Sequence, residues 1–412
     1  MMFPTPARFG GRMLKIGLIL LGCVGFAGCV ASPMSYSVSA ASGPQKATGT
    51  STAAPLPLTP ATVKPAATKI PVIELRGSPP ELGKAYGDAV GDTVKLLYEN
   101  YLMVRLTGPN LLRARVAAAE FEIYFLPEHR EELSAMSQSL EINHYDAVLA
   151  QCFLDLLPST GCSTITLPAS ASPDGIARFG RNLDFPSLNI ADKHSVLFIY
   201  HPDDGRYQFA AVGWPGMIGV LSGMNEHGLC LSNMEVDRPA RVPSAMPYTL
   251  LYRTILERCK NVDEAIQLLR NTPRQTANNL MLMDADGNRA VVEIQPDGIT
   301  VRRGVDNSAL ISTNHQRGID ADSSGRCWRY DDLHTTSAAN FGQIDPNVLE
   351  QMLSRVVQGD HGEMTLQSMI FEPSTRVIYL ATGTDAPSRT FERIDLKAYF
   401  GEPAGALREK GD

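Results

Sequence analysis

The chain has 412 residues, 44% hydrophobic and 20% charged, which is ordinary for a globular protein with a sizeable core and excludes a wholly disordered chain. Its formal net charge is -7 and its body holds no dense run of Lys and Arg, which argues against nucleic acid as the main partner. Seven cysteines, with no CxxC and no zinc-type Cys/His spacing, are too few for a disulfide scaffold at this length.

In chain order, a targeting segment comes first. Arg8, Arg12 and Lys15 precede the apolar run IGLILLGCVGFAG, and Cys29 follows directly. A basic start, an apolar run and small residues before a cut describe a secretory signal, too short and wrongly flanked for a spanning helix. The tail FAGC resembles a bacterial lipobox, so residues 1–29 are expected to be a lipoprotein signal with Cys29 lipidated. The alternatives are LLGC, ending at Cys23, and secretion without a lipid. The expected location is the bacterial cell envelope, with the exported protein anchored in the membrane by its lipid. Residues 30–69 are rich in Ala, Ser, Thr and Pro. Such a segment buries too little surface to offset its ordering entropy and reads as a disordered tether.

The folded part is expected from Ile70. PVIELRGS reads as a strand, and PPELGKAYGDAVGDTVKLLYENYL places apolar residues at helical spacing behind two prolines. Further helices are expected near Leu111–Leu126, Glu128–Leu140 and Tyr145–Leu156. After Pro158 the texture changes to short β-like runs: CSTITL, IARFGRNLDF, SVLFIYH, RYQFAAVGW, IGVLSGM and GLCLSNMEV. A helical section is expected over Tyr248–Asn271. The strands NLMLMDA, AVVEIQ, ITVRR and ALIST follow, then helices at Trp328–Leu333 and Pro346–Val357 and the strand RVIYLATG. A helical region of 70–161, a strand-rich body of 162–400 and a flexible tail of 401–412 make an α+β protein.

The chemistry centres on the change from helix to strand. Cys162 follows Gly161 and opens the run CSTITL. Most free cysteines are small buried hydrophobes. A cysteine at the start of a strand has another option. If Gly161–Cys162 breaks, Cys162 gains a free α-amine with a reference pKa near 8, which takes the thiol proton and later returns it to a leaving group. One residue then supplies both nucleophile and base. Arg181, in FGRNLDFP, would favour the thiolate. Asp184 falls on the opposite strand face from Arg181 if the strand is regular, and could hold the ammonium form of that amine. The two could equally be a surface ion pair beside a turn.

In GMNEHGLCLSNMEV the NEHG turn precedes a strand carrying Asn233 among apolar residues, a candidate oxyanion donor. Asn314 in ALISTNHQ is a catalytic amide or a plain turn former. His315 beside it is dispensable as a base if the α-amine serves. Arg326 and Arg329 both precede or open a helix and could reach a carboxylate or the site.

Taken in order, GCSTI, GRNLDF, GMNEHGL, STNH and an Arg-Tyr helix start resemble the N-terminal nucleophile hydrolases related to choloylglycine hydrolase, acid ceramidase and acyl-coenzyme A:6-aminopenicillanic acid acyltransferase. The acyltransferase branch is the nearest, through ELRGSPPELGKAYG and PGMIGVLSGMNEHGL. The resemblance runs from about Ile70 to Gly383. It implies a four-layer αββα sandwich with a helical pro-region, self-cleavage before Cys162, and site positions at Arg181, Asp184, Asn314 and an oxyanion asparagine. Asn233 fits that last role, although an ungapped match on NEHG places Glu235 there. The pattern of Arg before an aromatic residue selects Arg329. Thioester chemistry on a small N-acyl amide is implied, with no metal or organic cofactor. Water as acceptor gives a hydrolase, an amine gives an acyltransferase. The rival from another class is a lipid-tethered binding protein that keeps the fold and does not cleave. Substrate identity and oligomeric state are not legible.

Overall fold

A computed structural model describes residues 69–106, 108–156, 161–236, 244–318, 327–359 and 363–400. The signal, almost all of the tether, Arg326 and the tail lie outside the described residues. Strand β1 (Val72–Gly77) leads through Ser78 into helix α1 (Pro79–Leu97). Prolines fill the first turn, where a missing N–H costs nothing, and the Glu81 carboxylate accepts from the Ser78 N–H at 2.8 Å. A π-helical turn (Tyr98–Leu102), α2 (Pro109–Glu122), α3 (Pro127–Ser139) and α4 (His144–Leu156) follow.

Strands then take over: β2 (Cys162–Leu167), β3 (Arg178–Pro186), β4 (Val196–Pro202), β5 (Phe209–Gly213), β6 (Ser222–Asn225) and β7 (Cys230–Glu235). Helices α5 (Tyr248–Arg258) and α6 (Val262–Asn271) precede β8 (Asn278–Met283), β9 (Arg289–Gln295), β10 (Gly298–Arg303) and β11 (Leu310–Ser312). The chain closes with α7 (Trp328–Ala339), α8 (Pro346–Arg355), β12 (Glu363–Glu372), β13 (Val377–Thr382) and β14 (Glu392–Asp395).

The described strands form two sheets. One has eight strands in the order β1-β4-β5-β6-β7-β8-β9-β10, the other six in the order β11-β2-β3-β12-β13-β14. The pairing of β1 with β4 is parallel. The sheets meet through side chains of alternate residues. On β2, the Thr164 hydroxyl lies 3.2 Å from Met234 Sδ on β7, and the Thr166 hydroxyl 3.7 Å from Met281 Sδ on β8. The opposite face of the six-stranded sheet carries α8. Gly180 makes room for it, since a Cβ there would stand 3.2 Å from Leu349. Helices cover the outer face of the eight-stranded sheet: Tyr86 of α1 stacks on Phe198 of β4 at 4.9 Å, and Asn225 of β6 donates to the Leu256 carbonyl of α5. The expected α+β, αββα architecture is the observed one.

Some elements differ from expectation. The helical section over 248–271 is two helices, because Asn261 turns the chain and its side chain caps α6 by accepting from Glu264 N–H at 3.0 Å. In the run IGVLSGM only its end enters β6. Strands β12 and β14 were not foreseen. The run of β12 carries polar Thr365, Gln367 and Ser368 that are buried, so it lacks a clear apolar-against-polar period.

Candidate active site

Cys162 is the first residue of β2, and all six residues of that strand are buried. A strand enclosed by one sheet in front and a helix behind has no solvent side, which is why CSTITL is uniformly small and apolar or hydroxylated. Register sets Cys162 opposite Leu183 and Thr164 opposite Arg181 on β3. Directly opposed residues share a face, so Arg181 projects with Cys162 into the space between the sheets. Its Nη2 donates to Cys162 Sγ at 3.4 Å, and its Nη1 to the carbonyl of Asn233. The Arg181 Nε is buried with no partner among the described residues.

Three further contacts converge on the backbone of Cys162. Its N–H donates to Asn314 Oδ1 at 2.8 Å, and its carbonyl accepts from Arg329 Nη1 at 2.7 Å. The preceding carbonyl, that of Gly161, accepts from the backbone N–H of Asp184 at 3.0 Å. Arg329, in the first turn of α7, also donates to Asp184 Oδ2 at 3.1 Å and to Asn314 Oδ1 at 2.9 Å. Asn314 donates in turn to the Glu235 carbonyl at 2.8 Å. Arg329 thus joins β2, β3 and the segment after β11 in one network. Arg326, the other candidate, lies outside the described residues.

Asp184 lies on the far face of β3 from Arg181, as regular alternation required. Its carboxylate meets Arg329 and accepts from the Thr365 hydroxyl of β12 at 2.5 Å. The nitrogen of Cys162 is met by Asn314 Oδ1, and Arg329 bridges that oxygen to the Asp184 carboxylate. Asn233 joins the group through its main-chain carbonyl. Its neighbour Met234 faces β2, so alternation turns the Asn233 amide away from Thr164, and its Oδ1 is buried without a partner among the described residues. The His315 ring lies 3.4 Å from the Thr313 hydroxyl, and burial lowers its pKa, with Arg317 and Arg329 adding to the effect.

The thiol itself is pushed above its ordinary pKa. Burial is the largest cause, Arg181 and Arg329 pull it down, and Asp184 pushes it up. The sequence expectation of a thiol favoured as thiolate by Arg181 holds for the sign of that one contact and not for the sum. In the continuous chain the loss of solvent outweighs the guanidinium.

An apolar cavity of about 60 Å³ lies along β3 from this point. Its lining includes Tyr98, Tyr101, Phe153, Phe185, Trp214 and Met217. Phe185 shares a face with Leu183, the partner of Cys162, about 7 Å further along the strand. Phe185 stacks on Trp214 at 5.3 Å and on Tyr101 at 5.9 Å. Both sides of Gly161–Cys162 in sequence supply the walls. Sequence reasoning missed this cavity, because its residues are scattered over helix, strand and loop. It also missed Thr365 and the Asp184 main-chain N–H.

With a thiol heading an inner strand of a two-sheet sandwich, the protein falls in the N-terminal nucleophile class, whose acyl hydrolases and acyltransferases act on amide bonds. A family profile described as acyl-coenzyme A:6-aminopenicillanic acid acyl-transferase matches residues 171–387, more than half of the chain, and the chain belongs to that family. It is 23% identical over 388 residues to protein dcd1A of Dictyostelium discoideum, spanning 81% of this chain and 86% of that protein. Among solved structures it resembles a Caenorhabditis elegans N-acylethanolamine-hydrolyzing acid amidase ortholog, with a TM-score of 0.44 and 17% identity over 57% of this chain and 100% of that one. It also resembles penicillin V acylase from Agrobacterium tumefaciens, with a TM-score of 0.43 and 15% identity over 57% of this chain and 86% of that one.

Proposed function

We propose that the protein is a self-activating cysteine amidohydrolase that cleaves linear N-acyl amides through a thioester on Cys162. One observation carries this reading: the Gly161 carbonyl and the Cys162 nitrogen are each held by a hydrogen bond, at 3.0 and 2.8 Å, beside a thiol in contact with Arg181. In self-cleavage Cys162 Sγ attacks the Gly161 carbonyl carbon, and negative charge develops on an oxygen that already accepts from Asp184 N–H. Collapse breaks the C–N bond, leaves a thioester, and places the thiol proton on the departing nitrogen. Water then cleaves the C–S bond, releasing a Gly161 carboxylate and restoring the Cys162 thiol beside its now free amine.

In turnover the same sulfur attacks the substrate amide, with its own α-amine as base and Asn314 Oδ1 orienting that amine. The oxyanion falls to main-chain N–H groups, because the amide of Asn233 faces away from the thiol. The main-chain carbonyl of Asn233 serves meanwhile to seat Arg181. The apolar cavity takes the acyl group. Its aromatic and aliphatic lining favours an uncharged acyl group. An amine replacing water would make the same site an acyltransferase. Hydrolysis is favoured for an exported protein, which meets little cytosolic thioester donor. We place the protein at the cell envelope, held by a lipid on Cys29.

The deciding experiment is the intact mass of purified wild type beside Cys162→Ala. Wild type split at Gly161–Cys162 and an unsplit variant support the reading. A soluble, unsplit wild type defeats it and favours the tethered binding protein. Hydrolysis of short against long N-acyl amides by the split protein then reads the cavity.

A further inference from the structure

The segment 214–219 joins β5 to β6, and its first four residues form one wall of the apolar cavity. Side chains from before the proposed cut hold this segment. Tyr86 Oη accepts from the Gly216 N–H at 2.9 Å. Gln151 Oε1 accepts from the N–H groups of Ile218 and Gly219 at 2.8 and 3.3 Å. The Gly216 carbonyl accepts from Gln151 Nε2 at 2.8 Å and from the Tyr98 hydroxyl at 3.1 Å. Tyr98 can come so close because Gly216 has no side chain. Its φ is 103°, and a Cβ there would stand 2.5 Å from Tyr98 Cε1.

The Tyr98 ring therefore lies directly on the main chain of the segment. It opens the π-helical turn whose other members Tyr101 and Leu102 also line the cavity, and π-turns recur at functional sites. The Tyr101 hydroxyl donates to the Pro186 carbonyl at 2.7 Å. Both tyrosines thus line an apolar space with their rings while main-chain carbonyls satisfy their hydroxyls, as buried hydroxyls require. Turning the Tyr98 ring out of the cavity would break its bond to Gly216 and expose a side chain that is now buried.

We propose that Tyr98 is a specificity-determining residue of the thiol site: its ring, seated on Gly216, closes one wall of the cavity and sets how large an acyl group the cavity takes. The inference rests on the reading of this cavity as the acyl site. It makes the fragment before the cut a working part of that site after scission. The ring is rigid and held at its far end, so it acts as a fixed stop for a growing acyl chain. A pocket of fixed depth discriminates by the methylenes it cannot cover.

The test uses full-length protein after splitting, with butanoate and octanoate as product acids. Binding is read from the emission of Trp214, which lines the cavity; the other tryptophan, Trp328, is exposed. Tyr98→Leu removes the ring and is expected to raise affinity for octanoate relative to butanoate about tenfold over wild type. Tyr98→Phe keeps the ring, loses its tie to Gly216, and is expected to raise that ratio about threefold. An unchanged ratio in Tyr98→Leu overturns the proposal, as does equal weakening of both acids, the result of a merely structural role. If Tyr98→Leu does not fold or split, Tyr98→Phe decides, and an unchanged ratio there overturns the proposal. Acids that leave wild-type emission unchanged remove the cavity as acyl site and this inference with it, while self-cleavage stands. A wild type that never splits, read by intact mass, defeats the self-cleavage reading and the inference together.

Discussion

Arg181 and Arg329 divide the work around Cys162 between side chain and backbone. Arg181 touches the sulfur, while Arg329 holds the Cys162 carbonyl and the Asn314 oxygen that receives the Cys162 nitrogen. Burial raises the thiol pKa and Arg181 is the largest opposing influence, so removing that charge raises it further. Arg181→Gln should therefore shift the pH profile of scission to higher pH and lower the rate at pH 7 by on the order of tenfold, with Arg181→Lys retaining part of it. An unshifted profile, measured by fragment mass against time across pH, would show that the guanidinium does not act on the sulfur. Residue types at Cys162, Arg181, Asp184, Asn314 and Arg329 were legible in short motifs. Their partners were not: the Thr365 hydroxyl and the main-chain N–H of Asp184 come from register between β3 and its neighbours, which no local pattern encodes.

At the scale of elements, the segment before Cys162 is built into the body. β1 is an edge strand of the eight-stranded sheet, paired in parallel with β4. Arg253 of α5 makes a bidentate pair with Glu132 of α3 at 2.9 and 2.6 Å, and both side chains are fully buried. Glu257 shares Arg253 at 2.8 Å and Arg206 at 2.6 Å, and the Arg253 guanidinium lies 4.6 Å from the centre of the Tyr200 ring. Burial works against the Glu257 carboxylate, but these arginines together with His129 hold its pKa below the ordinary range. After scission the two fragments should co-purify and separate only in denaturant. Glu132→Ala removes one of the two carboxylates that Arg253 meets, a loss of about 1–3 kcal/mol. The urea midpoint should fall accordingly, and a midpoint within error of wild type would mean that the pair does not hold the fragments. The helices before Cys162 were readable from their spacing and leading prolines. β12 was not, since a strand buried on both faces loses its alternation.

Across the whole molecule, the αββα body positions Cys162, while the proposed lipid on Cys29 would set where the protein works. Cys29→Ser should move the protein from the membrane fraction to the soluble fraction without altering the Gly161–Cys162 cut. Retention in the membrane would place the anchor at Cys23 or elsewhere. The sequence by itself determined the class of fold, the cysteine at the change from helix to strand, and the order of the polar residues around it. Those are properties of composition, periodicity and short motifs, which local chemistry writes directly into the chain. Only the tertiary structure decided that Asp184 pairs with Arg329, that burial outweighs Arg181 at the thiol, and which side chains enclose the apolar cavity. Each depends on strand register and on helices packed from distant parts of the chain, where desolvation and the pairing of buried groups are set by the whole fold.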